Sequence, residues 1–136
     1  MKRFIIILSV FVFLSGCSLE DDNANDFEFQ VMPIESVNMA NSFVKGNTYV
    51  ISMTYTAPSS CYEFYNFSYQ VQGHERTIAV VNTVYNDPTC EIEPKQVEVS
   101  MDFMVTGDDV YVFKFFQGID EEGEDHYYVV EVPVIE

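Results

Sequence analysis

The chain has 136 residues, enough for one domain with a single core and too few for two well-packed ones. Asp and Glu number 22 against 6 Lys and Arg, a formal charge of −16. That excess excludes nucleic-acid binding, which needs cations to neutralise phosphates, and it opposes attachment to anionic lipid head groups.

Lys2 and Arg3 precede Phe4 to Leu14, a run that is apolar apart from Ser9. The run falls well short of the roughly 20 residues that span a bilayer as a helix, so it reads as the hydrophobic part of an export signal. It closes on Leu14-Ser15-Gly16-Cys17, two small residues directly before a thiol. This layout resembles the signal peptide of bacterial lipoproteins. The resemblance implies that residues 1–16 are removed, that Cys17 carries a diacylglycerol and becomes the mature N-terminus, and that lipid alone holds the protein to a membrane. One acyl chain binds marginally, whereas the two or three of a mature lipoprotein anchor stably. Removal of Lys2 and Arg3 leaves four basic residues against 22 acidic ones, a formal charge of −18.

Residues 17–26 read as a flexible acidic tether, since Ser18 to Asp26 shows neither helical nor alternating periodicity. Glu20, Asp21 and Asp22 resemble the acidic signal that sends some lipoproteins to the outer face of the outer membrane; the other reading of the cluster is a solvated linker. The expected location is therefore the outer membrane, facing the periplasm or the cell exterior.

From Phe27 onward no apolar repeat at three and four residues lasts for a helix, and several segments alternate. Phe27 to Val37 reads as a strand interrupted by Pro33, which lacks a ladder donor. Thr48 to Thr56 sets Tyr49, Ile51, Met53 and Tyr55 on one face. Tyr62 to Val71 and Arg76 to Tyr85 form a hairpin through a polar connection that carries Gly73. Strict alternation cannot bury both Phe64 and Phe67, so a bulge near Tyr65-Asn66 or an exposed aromatic platform is required. Gln96 to Val105 alternates plainly, Val110 to Phe116 and His126 to Ile135 form a last pair, and Gln117 to Asp125 between them is too charged to be buried.

About seven strands with no crossover helix predict an all-β domain over residues 27–136, an antiparallel β-sandwich, with a small β-barrel as the alternative. The strand order resembles the immunoglobulin-like fold. Gly107-Asp108-Asp109-Val110-Tyr111-Val112-Phe113 is similar to that fold's tyrosine corner, with Tyr111 at the start of the sixth strand. Phe113 stands where antibody domains have their second core cysteine, and the chain has no tryptophan. The likeness is thus to the broad architecture.

With Cys17 assigned to lipid, Cys61 and Cys90 remain as a disulfide pair outside the cytoplasm, closing a loop that would stabilise by roughly 3 to 4 kcal/mol. A reactive thiol served by His74 is the competing reading. His74 and His126 lie in or beside turns, and no serine elbow, phosphate loop or paired metal-ligand spacing is present. The chain therefore reads as no enzyme, with no catalytic residue and no cofactor. Asp120-Glu121-Glu122-Gly123-Glu124-Asp125 offers hard oxygen ligands of the kind calcium takes, without EF-hand spacing, and otherwise reads as a solvated loop. Asp108-Asp109 would lie at the other end of the sixth strand. The aromatic residues Tyr62, Phe64, Tyr65, Phe67, Tyr69, Tyr127 and Tyr128 either fill the core or stack on a sugar or protein partner. The expectation is a lipid-anchored, non-catalytic binding or accessory module for an envelope protein or glycan; the alternatives are an anchored hydrolase inhibitor and a carbohydrate-binding accessory protein.

Overall fold

Alternation in the sequence turns into ten strands, with no helix among the residues described by this computed structural model, Gly16 and 26–136. The expected signal segment 1–16 apart from Gly16, the expected lipid site Cys17 and the expected tether before Asp26 lie outside the described residues. Seven strands carry the fold: β1 (Phe27–Met32), β4 (Thr48–Ala57), β5 (Tyr62–Gln72), β6 (Glu75–Tyr85), β7 (Lys95–Met104), β8 (Tyr111–Ile119) and β9 (Asp125–Val132). Three short ones complete it: β2 (Ser36–Asn38), β3 (Phe43–Val44) and β10 (Val134–Ile135).

The strands form a five-stranded sheet, a three-stranded sheet ordered β2-β4-β7 and a two-stranded β10-β3 patch, none closed into a barrel. In the larger sheet β5 runs along one edge of β6, while the other edge of β6 is shared. Its C-terminal half pairs with β1, Phe27 opposite Tyr85 through Met32 opposite Val80. Its N-terminal half pairs with β8, Glu75 opposite Val112 through Ile78 opposite Phe115. β9 then continues the sheet beyond β8.

The architecture is the all-β sandwich that the alternation implies, with two departures from antiparallel pairing, β6 with β8 and the short β10 with β3. β6 and β8 are parallel, because β7 between them belongs to the smaller sheet and the chain returns to β6 in the direction it left. Pro33 divides the first predicted strand between sheets. Next to it, Ile34 N–H donates to Phe116 O of β8 at 2.8 Å and Glu35 N–H donates to Thr54 O of β4 at 2.8 Å. Within two residues the backbone changes partners from one sheet to the other. Pro133 acts similarly: β9 stops before it, its carbonyl accepts from Phe43 N–H at 2.9 Å, and β10 pairs parallel with β3.

Ile51, Met53 and Tyr55 of β4 meet Ile78 and Val80 of β6 and Phe113 and Phe115 of β8 in one buried core. Tyr111 closes one end. Its hydroxyl accepts from Gly107 N–H at 2.7 Å and Thr106 N–H at 3.3 Å, the corner expected at the start of this strand. Burial pushes the Tyr111 phenol up, but the bonds from Thr106 and Gly107 and the Arg76 charge outweigh it and leave it below its ordinary value. A Cβ on Gly107 would lie 2.8 Å from the Tyr111 hydroxyl oxygen, so close approach is why glycine stands there. Asn82 is the discordant core residue: it is 0% exposed, and neither end of its amide has a hydrogen-bond partner among the described residues.

Cys61 and Cys90 form a disulfide with Cα atoms 5.4 Å apart. It joins the β4–β5 turn to the β6–β7 connection, where Ser60 N–H also donates to Glu91 O at 3.0 Å and Glu91 N–H to Ser60 Oγ at 2.9 Å.

Candidate functional site

β1 alternates Phe27, Phe29 and Val31 against Glu28, Gln30 and Met32. Period two normally sends the apolar set inward. Here it goes outward. Met32 opposes the buried Val80, so the even-numbered residues share the core side of β6 and the odd-numbered ones lie on the outer face of the larger sheet. Met32 is the only residue of β1 that is fully buried.

The outward set is joined by one residue of β5. The β5–β6 register shifts between Phe64 and Asn66, which leaves Tyr65 as the bulged residue. Phe64 and Phe67 thereby both reach the core side and meet edge to face, ring centroids 5.0 Å apart, half-buried against the core. Tyr65 is turned out and is 59% exposed; its ring lies 4.6 Å from that of Phe29, which is 54% exposed. The two close over Thr83, only 8% exposed although it sits on the outer face. Phe27 extends the group, 5.6 Å from Phe29 and 6.2 Å from Tyr85. Four aromatic rings thus form one exposed cluster around the C-terminal end of β6, beside the point where the chain enters the domain.

The same face has a second zone over the N-terminal half of β6. There Val31, Gln70, Thr77, Phe116, Asp125 and Tyr127 are among the residues lining an open hollow of about 340 Å³. Phe116 and Tyr127 meet at 6.0 Å, and Lys114 Nζ sits 4.8 Å from the Tyr127 ring centroid and 3.5 Å from Glu75 Oε1. Gln117 is the bulged residue of β8, and Gly118, at φ 109°, follows it and lets β8 and β9 continue beside this hollow. Both strands therefore run further than the charge pattern implies, and the loop shrinks to residues 120–124.

Of the seven aromatics read as candidates, Tyr65 and Tyr127 lie on this face. Tyr62, Phe64 and Phe67 pack against the core. Tyr69 opposes Ile78 and Tyr128 opposes Phe115, on the core side at the two outer strands of the sheet. Phe27, Phe29 and Tyr85 were not legible as surface residues. The one available signal was Met32, whose place two residues after Gln30 gives β1 two competing faces.

Asp120, Glu122 and Glu124 bring carboxylate oxygens within 4.8 Å of one another, all exposed. Asp120 Oδ1 already accepts from Glu122 N–H and Glu124 N–H, each at 2.9 Å, so this carboxylate builds the turn. These three are the residues among those described that could hold a hard cation. Asp108 binds Lys45 Nζ at 2.7 Å and Asp109 caps Val110 N–H at 2.7 Å, at the opposite end of β8. His74 and His126 are exposed, and the disulfide leaves no thiol at Cys61 or Cys90 for His74 to activate. No family model, curated protein or solved structure matches this chain.

Proposed function

We propose that this protein is a lipoprotein of the outer membrane, anchored through Cys17 and facing the periplasm or the cell exterior, that works as a non-catalytic binding or accessory module. The observation that carries the binding role is the outer face of the larger sheet. A sandwich with no partner turns polar side chains to water, whereas this one exposes Val31 and Ile119 there, beside the rings of Phe116 and Tyr127. The hollow lined by Phe116 and Tyr127, at the end of that face away from Phe27, is the site for the partner. The acidic surface suits basic or neutral partners and opposes nucleic acid.

A glycan is the second reading. It is supported by the composition of the hollow, where two aromatic rings stand among Gln70, Thr77 and Asp125, a stacking surface with hydrogen-bonding groups around it. Affinity capture from intact envelopes with tagged full-length protein, in cells also treated with external protease, tests the proposal. A protein partner retained by the native chain and lost by Tyr127→Ala, with the domain cut by protease, fits a cell-surface accessory protein. A glycan recovered on a polysaccharide array, with the same loss, fits the second reading. Unchanged capture in Tyr127→Ala removes the hollow as the site.

A further inference from the structure

We infer that the tether-end aromatic cluster, Phe27, Phe29, Tyr65 and Tyr85, docks on the neutral, zwitterionic surface of the lipid bilayer and so holds the domain at a fixed tilt. This rests on the anchoring of Cys17 proposed above. Ten residue steps separate Cys17 from Phe27, at most about 35 Å of extended chain. The last of them delivers Phe27, itself a member of the cluster. The domain thus meets the membrane with this corner foremost, and the cluster is held within reach of the head groups at high effective concentration.

The chemistry of the cluster fits that surface. Tyrosine and phenylalanine place an apolar ring at the boundary between acyl chains and water, and the hydroxyls of Tyr65 and Tyr85 can stay in the wet layer. Four rings linked in a row, Tyr85 to Phe27 to Phe29 to Tyr65, present a continuous patch, which a single exposed residue does not. Charge selects the kind of lipid. Glu63 lies in the same row as Phe29 and Thr83, and Asp26 directly precedes Phe27 with its carbonyl bonded to Asn86 N–H at 2.7 Å. No lysine or arginine lies in these rows, so an anionic surface would be repelled and a neutral one accepted. In this pose the hollow at Phe116 and Tyr127, over the far half of β6, stands off the membrane and stays open to a partner.

The chain has no tryptophan, so a single introduced one reports alone. Full-length lipidated protein carrying Phe29→Trp, Tyr65→Trp or Val50→Trp is reconstituted into phosphatidylcholine vesicles with and without brominated acyl chains. Val50 is an exposed residue on the outer face of the smaller sheet and serves as the distant control. The expected result is loss and blue shift of emission at positions 29 and 65 with brominated lipid, and neither at position 50. Two positions in the cluster guard against one substitution disturbing the fold. Protein that floats with the vesicles yet shows no quenching at 29 or 65 overturns the docking and leaves the anchor intact; equal quenching at all three positions also overturns it. Protein that does not float overturns the anchoring and the docking with it. Emission at position 29 that changes with protein concentration without vesicles assigns the cluster to a second copy of the chain and overturns the proposal, and stronger quenching by anionic than by neutral lipid overturns the choice of surface.

Discussion

Gly107 and Tyr111 act as one unit, and each constrains what the other can become. Gly107→Ala puts a methyl group 2.8 Å from a hydroxyl oxygen that belongs to a buried ring wedged among Phe43, Phe103 and Phe113. The expected loss is about 1 to 3 kcal/mol of stability, read by urea denaturation. Tyr111→Phe keeps the ring but leaves Gly107 N–H and Thr106 N–H without their acceptor, and the expected loss is also about 1 to 3 kcal/mol. Asn82 gives the opposite sign. Burial raises the Tyr55 phenol, and the fully buried Asn82 amide makes no hydrogen bond among the described residues. Asn82→Leu is therefore expected to stabilise, by about 1 to 3 kcal/mol in the same assay. Asp87 carries a pH dependence: bonds from Thr89 N–H and Thr89 Oγ hold its carboxyl below the ordinary value. A depressed carboxyl in the folded chain contributes stability above the ordinary carboxylate range and loses it as pH falls through its own lower value. The gap in thermal midpoint between the native chain and Asp87→Asn should be open at neutral pH and close in strong acid.

At the scale of elements, the disulfide joins connections that the ladders hold only at their ends. Replacing Cys61 and Cys90 by alanine removes a closed loop of sequence separation 29 and should cost about 2 to 4 kcal/mol by denaturant titration. The long strands were legible because each has one apolar face that must be buried: Ile51, Met53 and Tyr55 of β4, and Val97, Val99 and Phe103 of β7, announce their faces directly. The short strands were not legible as separate elements, since two or three residues carry no period: β10 and most of β2 fell inside longer predicted strands, and β3 fell outside them all. Pro33 was readable as a break but not as a change of sheet, because that depends on the carbonyls of Phe116 and Thr54, supplied by distant segments. The Tyr65 bulge was legible from the conflict between Phe64 and Phe67, whereas the cluster it completes required the register of β1 on β6.

For the whole molecule, negative charge far exceeds what its cations can pair. Among the described residues two ion pairs form, Lys45 with Asp108 and Lys114 with Glu75. The remaining carboxylates repel, and compaction brings them closer. Thermal stability should therefore rise between about 0.01 M and about 1 M sodium chloride, as the Debye length falls from about 30 Å to about 3 Å. A flat or falling midpoint in calorimetry would show that repulsion does not limit the fold. β1 has a further consequence, a mechanical one. Any load that enters from the N-terminal side arrives at the bond between Asp26 and Asn86 and then meets an antiparallel ladder end-on, so the pairs with β6 open singly, from Phe27–Tyr85 onward. Only Met32 of this strand is fully buried in the core. Five residues can thus unzip before the core is breached, lengthening the connection by about 17 Å. Such a strand is a tear strip that yields under a pull and leaves the rest of the sandwich folded.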